Sequence, residues 1–155
     1  MGRYLREYGL VEPIRRLAGE GLPIWGLCAG AILLCQEVDG APGVLALLPA
    51  RAARNAYGRQ LSSFEEELST PVGPFRGIFI RAPRLEALGD TEVLSRRSVA
   101  RRNADGREEA VLLRRKNILA ASFHPELSGD DRLHEYFLGL TTDLEAGKDM
   151  AIKDR

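Results

Sequence analysis

The sequence predicts an α/β fold: a sheet with parallel strands, helices packed against it, and a β-rich insertion. Three observations predict it. The short apolar run Leu22 to Leu27 passes directly into a helix-like stretch that is apolar nearly all round, as a buried parallel strand and its covering helix would. From Gly43 to Arg114 the pattern breaks into strand-like segments separated by turn residues. Ile118 to Phe123 is a second apolar run, and a helix pattern follows it.

Each element has its own signal. Arg3 to Ala18 reads as helix, because Tyr4, Tyr8, Val11, Ile14 and Leu17 recur at three- and four-residue steps, with Gly9 and Pro13 as interruptions. Gly19-Glu20-Gly21 ends it. Pro23 belongs near the start of the first strand, where a missing donor is tolerated. The buried helix runs from Ala29 through Ala31, Ile32, Leu33 and Leu34 toward Val38, and Gly40 to Gly43 is a turn. Gly43 to Ala53 is strand-like, Arg54 to Gln60 a polar loop or strand edge. Ser62 to Leu68 and Phe75 to Arg81 are two further strands, the second stopping at Ala82-Pro83. Val93 to Ala100 and Glu109 to Arg114 flank Asn103-Ala104-Asp105-Gly106, a hairpin signal. Asp130 to Leu140 is helical, with Leu133, Phe137 and Leu140 inward. Residues 1–140 form one domain, and 141–155 a charged tail that frays.

Composition narrows the function. A chain of 155 residues with 45% hydrophobic and 28% charged residues is an ordinary globular domain with room for a core. Its formal net charge is zero, so no bulk attraction draws it to nucleic acid or to a membrane surface. No apolar stretch is long enough to span a bilayer, and no basic-then-apolar leader opens the chain. The two cysteines lie too close in sequence to make a disulfide framework, so a reducing cytoplasm is the expected setting. No His, Cys, Asp or Glu spacing suggests a metal. The arginines at 96, 97, 101, 102, 107, 114 and 115 lack interleaved aromatics and read as a solvated face balanced by Glu108 and Glu109.

The chemistry sits in two short stretches. Gly26-Leu27-Cys28-Ala29-Gly30 has the G-x-C-x-G spacing of a nucleophile elbow, in which a strand turns sharply into a helix and exposes the turn side chain. Cys28 then lies at a helix N-terminus, where backbone amides favour the thiolate, and the Ala29 amide can donate to an oxyanion. Alone, the motif fits a small buried hydrophobe beside packing glycines equally well. His124-Pro125-Glu126 shifts the balance. In a strand, residues two apart share a face, so Glu126 can hold the imidazole of His124 while that ring exchanges a proton with Cys28. Cys35, on the same buried helix, reads as core. His134, among Asp131, Arg132 and Glu135, reads as solvated surface.

Four segments now carry a specific likeness: Trp25 to Gly30, Arg54-Asn55-Ala56-Tyr57-Gly58-Arg59-Gln60, Phe79-Ile80-Arg81-Ala82-Pro83 and Ser122 to Leu127. With them the chain resembles the class I (triad) glutamine amidotransferases from about Gly2 to Leu140. Within that class it is most similar to the glutaminase subunit of pyridoxal 5'-phosphate synthase. The resemblance implies a flavodoxin-like sheet with helices on both faces. It implies glutamine hydrolysis to glutamate and ammonia, with Cys28 as nucleophile, His124 as general base and acid, and Glu126 as orienting carboxylate. It places Arg54, Ile80 and Arg81 at the glutamine, where an arginine can fork the substrate carboxylate. It implies no cofactor for this chain, and a (β/α)₈-barrel synthase subunit as the partner that takes up the ammonia to make pyridoxal 5'-phosphate. A glutaminase serving histidine or purine biosynthesis is the alternative within the class, and the two arginine-bearing segments argue against it. A catalytically silent binding module is the alternative outside it. The family's leading strands and a Gly-Gly-Glu-Ser turn, about fifty residues, align before Met1. The chain as written is therefore expected to be a weak or inactive glutaminase of poor stability. Leu27 stands where the family commonly has threonine.

Overall fold

The computed structural model describes residues 1–54, 63–98 and 108–140. Two helices open it, α1 (Gly2–Glu7) and α2 (Val11–Gly19), followed by β1 (Ile24–Leu27) and α3 (Ala29–Leu34). Then come β2 (Cys35–Val38), β3 (Ala41–Pro42), β4 (Leu48–Ala53), β5 (Ser63–Thr70), β6 (Gly73–Ile80) and β7 (Arg84–Ala87). β8 (Glu92–Ser98), β9 (Glu108–Arg115) and β10 (Ile118–Ala121) complete the strands. A 3₁₀ turn, Pro125–Leu127, and a last helix, α4, over residues 132–140 close the described chain.

The sheet is mixed, in the order β1-β10-β9-β7-β4-β2-β3. β1 runs parallel to β10, and β2 parallel to β4; the remaining pairs are antiparallel. β9 is the branch point. Ala110 pairs with Leu85 of β7 on one side and Arg96 of β8 on the other. β5 and β6 form a separate two-stranded ribbon in full register from Ser63↔Ile80 to Thr70↔Gly73.

Strand alternation divides the core between the two faces of the sheet. In β10, Ile118 and Ala120 join Ala18, Ala31, Leu34 and Leu48 under the first three helices. Leu119 and Ala121 join Phe75, Phe79, Phe123 and Leu133 under the ribbon and α4. This is the α/β arrangement expected, with helices on both faces and the β-rich segments inserted between α3 and β10. No helix among the described residues is long and apolar enough to cross a membrane.

Several expected elements differ in detail. The helix anticipated over Arg3–Ala18 is two. Gly9 adopts φ +64° and the Leu10 amide donates to the Leu5 carbonyl at 2.8 Å, closing α1. Pro13 falls in the first turn of α2, where no donor is required. Tyr4 and Tyr8 are exposed and stack on each other at 6.5 Å, while Val11, Ile14 and Ala18 carry the packing. The buried helix stops at Leu34 rather than continuing toward Val38, because Cys35 turns extended (φ −62°, ψ 144°) and pairs with Leu48. Cys35 is thus a fully buried strand residue rather than a helical one. β7 has no clear sequence signal, being a four-residue strand after Ala82-Pro83. The hairpin signal at Asn103-Ala104-Asp105-Gly106 and the tail 141–155 lie outside the described residues.

The ribbon is bolted to the sheet by aromatics. Phe79 stacks on Phe64 at 4.6 Å and tilts against Phe123 at 5.7 Å, and the Arg97 guanidinium covers Phe64 at 4.4 Å. Arg97 is nearly buried and bridges Glu66 of the ribbon (3.0 Å) and Glu109 of β9 (3.4 Å), so it is not part of a solvated face. Phe79→Ala should cost about 3–5 kcal/mol, the range for emptying a fully buried phenylalanine site, and denaturant unfolding measures it. A loss under 1 kcal/mol would show that the ribbon does not share the core.

Candidate active site

The elbow comes from a close approach of β1 and α3. A Cβ on Gly26 would lie 2.6 Å from the carbonyl carbon and oxygen of Gly30, so only glycine lets the strand pass under the helix at this point. The chain then turns at Cys28, with φ 48° and ψ −101°, a conformation that costs an L-residue about 1–3 kcal/mol. Two backbone bonds hold the turn: the Cys28 amide donates to Ala121 at 2.8 Å, and the Ile32 amide to the Cys28 carbonyl at 3.3 Å.

His124 reaches the same place from β10. The strand ends at Ala121, and the His124 amide donates to the Ile78 carbonyl of β6 at 2.8 Å. Its Nδ1 lies 2.7 Å from Glu126 Oε1. The two residues meet as expected, but not as strand neighbours. The 3₁₀ turn Pro125–Leu127 swings Glu126 back onto the ring. With a carboxylate as partner, Nδ1 carries the proton and Nε2 is left basic.

A cavity of about 370 Å³ joins the predicted residues. Cys28, Ala29, Arg54, Ile80, Arg81 and His124 line it, together with Ile32 and Pro83. Glu126 stands behind His124 rather than in the wall. The Cys28 thiol donates to the Ile80 carbonyl at 3.7 Å, the long distance usual for sulfur. Arg81 adopts φ +46°, a second strained backbone position in the lining. Of the segment Arg54 to Gln60, only Arg54 is among the described residues.

Electrostatics correct one expectation. Burial pushes the Cys28 thiol above its ordinary range. The hydrogen bond from the Ala29 amide and the charge of Arg81 pull it down, and the charge of Glu126 pushes it up. The amide acts in the expected direction, but desolvation outweighs it, so the resting cysteine is a thiol and its proton must be removed by a base.

Two residues read differently from the sequence expectation. His134 is half-buried, not solvated: its ring lies 5.1 Å from Trp25, because position 134 borders the inward stripe of Leu133 and Phe137 on α4. Asp39 was not singled out, yet its carboxylate takes both the amide (2.9 Å) and Nε (2.6 Å) of Arg54. Asp39-Gly40 was the available signal, since Asp-Gly favours a two-residue hairpin turn. Among the described residues no group of His, Cys, Asp and Glu is arranged to hold a metal ion.

The raised thiol has a measurable sign. Cys35 is buried and pushed up to about 12, so alkylation by a neutral haloacetamide at mildly alkaline pH reports Cys28. Its rate should still be climbing above the ordinary thiol range. Glu126→Gln removes a negative charge and should move the midpoint down, whereas Arg81→Met removes a positive one and should move it up. A pH profile centred below the ordinary value would contradict the desolvated thiol.

The sequence and the fold resemble those of known proteins. Residues 1–142 match the SNO glutamine amidotransferase family. The chain is 46% identical over 149 residues to the pyridoxal 5'-phosphate synthase subunit PdxT of Herpetosiphon aurantiacus, covering 90% of this chain and 74% of that protein. It is 48% identical over 145 residues to the subunit of the same name from Thermus thermophilus, covering 90% and 71%. A crystal structure of a glutamine amidotransferase superposes with a TM-score of 0.77 at 46% identity, over 90% of this chain and 71% of that one. On a family match spanning nearly the whole chain, this protein belongs to the SNO glutamine amidotransferase family.

Proposed function

We propose that the cavity hydrolyses the side-chain carboxamide of L-glutamine and that the ammonia supplies a synthase subunit making pyridoxal 5'-phosphate. The observation that carries the reading is the convergence of Cys28, His124, Arg54 and Arg81 on one cavity, from four separate segments of the chain. The relatives named as subunits of pyridoxal 5'-phosphate synthase supply the metabolic setting.

The chemistry follows from the geometry. Arg54 and Arg81 fork the α-carboxylate of glutamine and leave the carboxamide toward Cys28. The imidazole of His124 takes the thiol proton as sulfur attacks the carboxamide carbon. The carbonyl oxygen becomes an oxyanion, and the Ala29 amide donates to it. His124 returns the proton to the departing nitrogen, the C–N bond breaks, and ammonia leaves behind a glutamyl thioester. Water then gives a proton to His124 and attacks the thioester carbon; the C–S bond breaks, glutamate departs, and the proton returns to Cys28. Glu126 keeps Nδ1 protonated throughout and stabilises the imidazolium.

Ammonia released to water is lost, so the acceptor is a bound partner, the (β/α)₈-barrel synthase subunit. The chain needs no cofactor of its own, since pyridoxal 5'-phosphate is the product of the assembly. A cytoplasmic setting keeps Cys28 reduced.

Glutamate release with the synthase subunit present tests this. Cys28→Ala should abolish it, and His124→Asn should lower kcat by about 10²- to 10⁴-fold, the range for a lost general acid–base. Glutamine turnover by Cys28→Ala at the wild-type rate would overturn the thioester route.

A further inference from the structure

Among the described residues, the hydrogen bonds of Asp39 reach the cavity lining at Arg54. Its position is set by two features of the backbone. Val38 pairs with Ala41, so Asp39 and Gly40 make a two-residue turn in which both take positive φ, 50° and 79°. The parallel register Val38↔Ala52 then brings that turn beside the end of β4, where the Asp39 amide donates to the Ala52 carbonyl at 3.0 Å. The Asp39 carboxylate thereby meets Arg54 just after the strand. One oxygen accepts the Arg54 amide at 2.9 Å, the other accepts Nε at 2.6 Å.

This double grip differs from an ordinary surface ion pair. It fixes the backbone of Arg54 and one edge of its guanidinium together. Among the described residues no hydrogen bond engages Nη1 or Nη2 of Arg54, while Arg54 lines the cavity with Cys28. An arginine held by Nε presents its terminal nitrogens as a fork, the geometry that matches a carboxylate. The pair is also exposed, with Asp39 at 37% and Arg54 at 61% of their side-chain surface open to solvent. An exposed pair contributes little to folding, so its effect on stability is small. The same two bonds hold the Asp39 carboxyl below its usual range, which keeps it ionised while the enzyme works.

We infer that Asp39 is a positioning residue that sets the Arg54 guanidinium for the α-carboxylate of glutamine, and so governs affinity for substrate rather than the rate of chemistry. The inference rests on the reading of Arg54 as a partner of that carboxylate.

The experiment uses the full chain with its synthase subunit and a glutamine-derived diazoketone that alkylates Cys28. Concentration dependence separates the binding constant from the limiting alkylation rate, and iodoacetamide, which has no carboxylate, reports thiol reactivity alone. Asp39→Asn retains an acceptor for the amide and tolerates the turn. It should weaken diazoketone binding by about threefold to fivefold, the range an exposed charge pair transmits, with the limiting rate and the iodoacetamide rate unchanged. Arg54→Ala should weaken binding further, and adding Asp39→Asn to it should do nothing more. If Arg54→Ala weakens binding and Asp39→Asn does not, the inference fails while the reading of Arg54 stands. Equal binding by Arg54→Ala and wild type overturns both. So does a folded wild-type complex that never labels at Cys28. A fall in the iodoacetamide rate with Asp39→Asn would make the residue a general support of the site and also overturn the proposal.

Discussion

The parallel pairing of β1 with β10 is the constraint on which the site depends. Its register, Leu27 against Ala121, ends both strands at the same level of the sheet. Whatever follows Leu27 must lie beside whatever follows Ala121, and those residues are Cys28 and the segment leading to His124. The hydrogen bond from the Cys28 amide to Ala121 continues the ladder by one step, so Cys28 is anchored to the strand that leads to His124. A shift by one residue would turn every side chain of β1 to the opposite face and remove Gly26 from beneath Gly30. The meeting of Cys28 and His124 is thus a by-product of register at the carboxyl ends of parallel strands, where α/β sheets commonly bind their ligands.

The ribbon supplies the opposite wall. Its second strand meets Cys28 and His124 through backbone carbonyls, with Ile78 accepting the His124 amide and Ile80 accepting the Cys28 thiol. These contacts depend on where the ribbon lies, and its placement depends on Phe64, Phe79 and Phe123 with Arg97 across them. An aromatic stack outside the cavity therefore holds the position of two residues that line it. The connection from β6 to β7 continues that wall, since Arg81 and Pro83 lie between the two strands.

Much of this was legible in the sequence because it was written in local patterns. Apolar runs located β1 and β10, alternation located β5 and β6, and the glycines around Cys28 announced a tight turn. The sequence pairs Glu126 with His124 as strand neighbours, whereas the structure pairs them through a 3₁₀ turn; i to i+2 contact can be reached from either backbone. The failures share a cause. Ala29 to Val38 is apolar enough for helix or buried strand, and only pairing with β4 decides that Cys35 is extended. His134 is polar by type but borders a packed stripe, so its burial depends on Trp25 from a distant strand. Asp39 looked like a turn residue and is one; its second role exists only because β2 and β4 run side by side.

The thiol of Cys28, desolvated and donating its proton to Ile80, has a consequence for the idle protein. The thiolate attacks peroxides and disulfides, and a cysteine held in its protonated form reacts slowly with either. On the proposed thioester route Cys28 becomes an anion only when His124 takes its proton, so the resting thiol is shielded from sulfenylation between turnovers. The price of needing a base for every cycle is also a defence: oxidative damage would track the time the site spends in catalysis, not the age of the molecule.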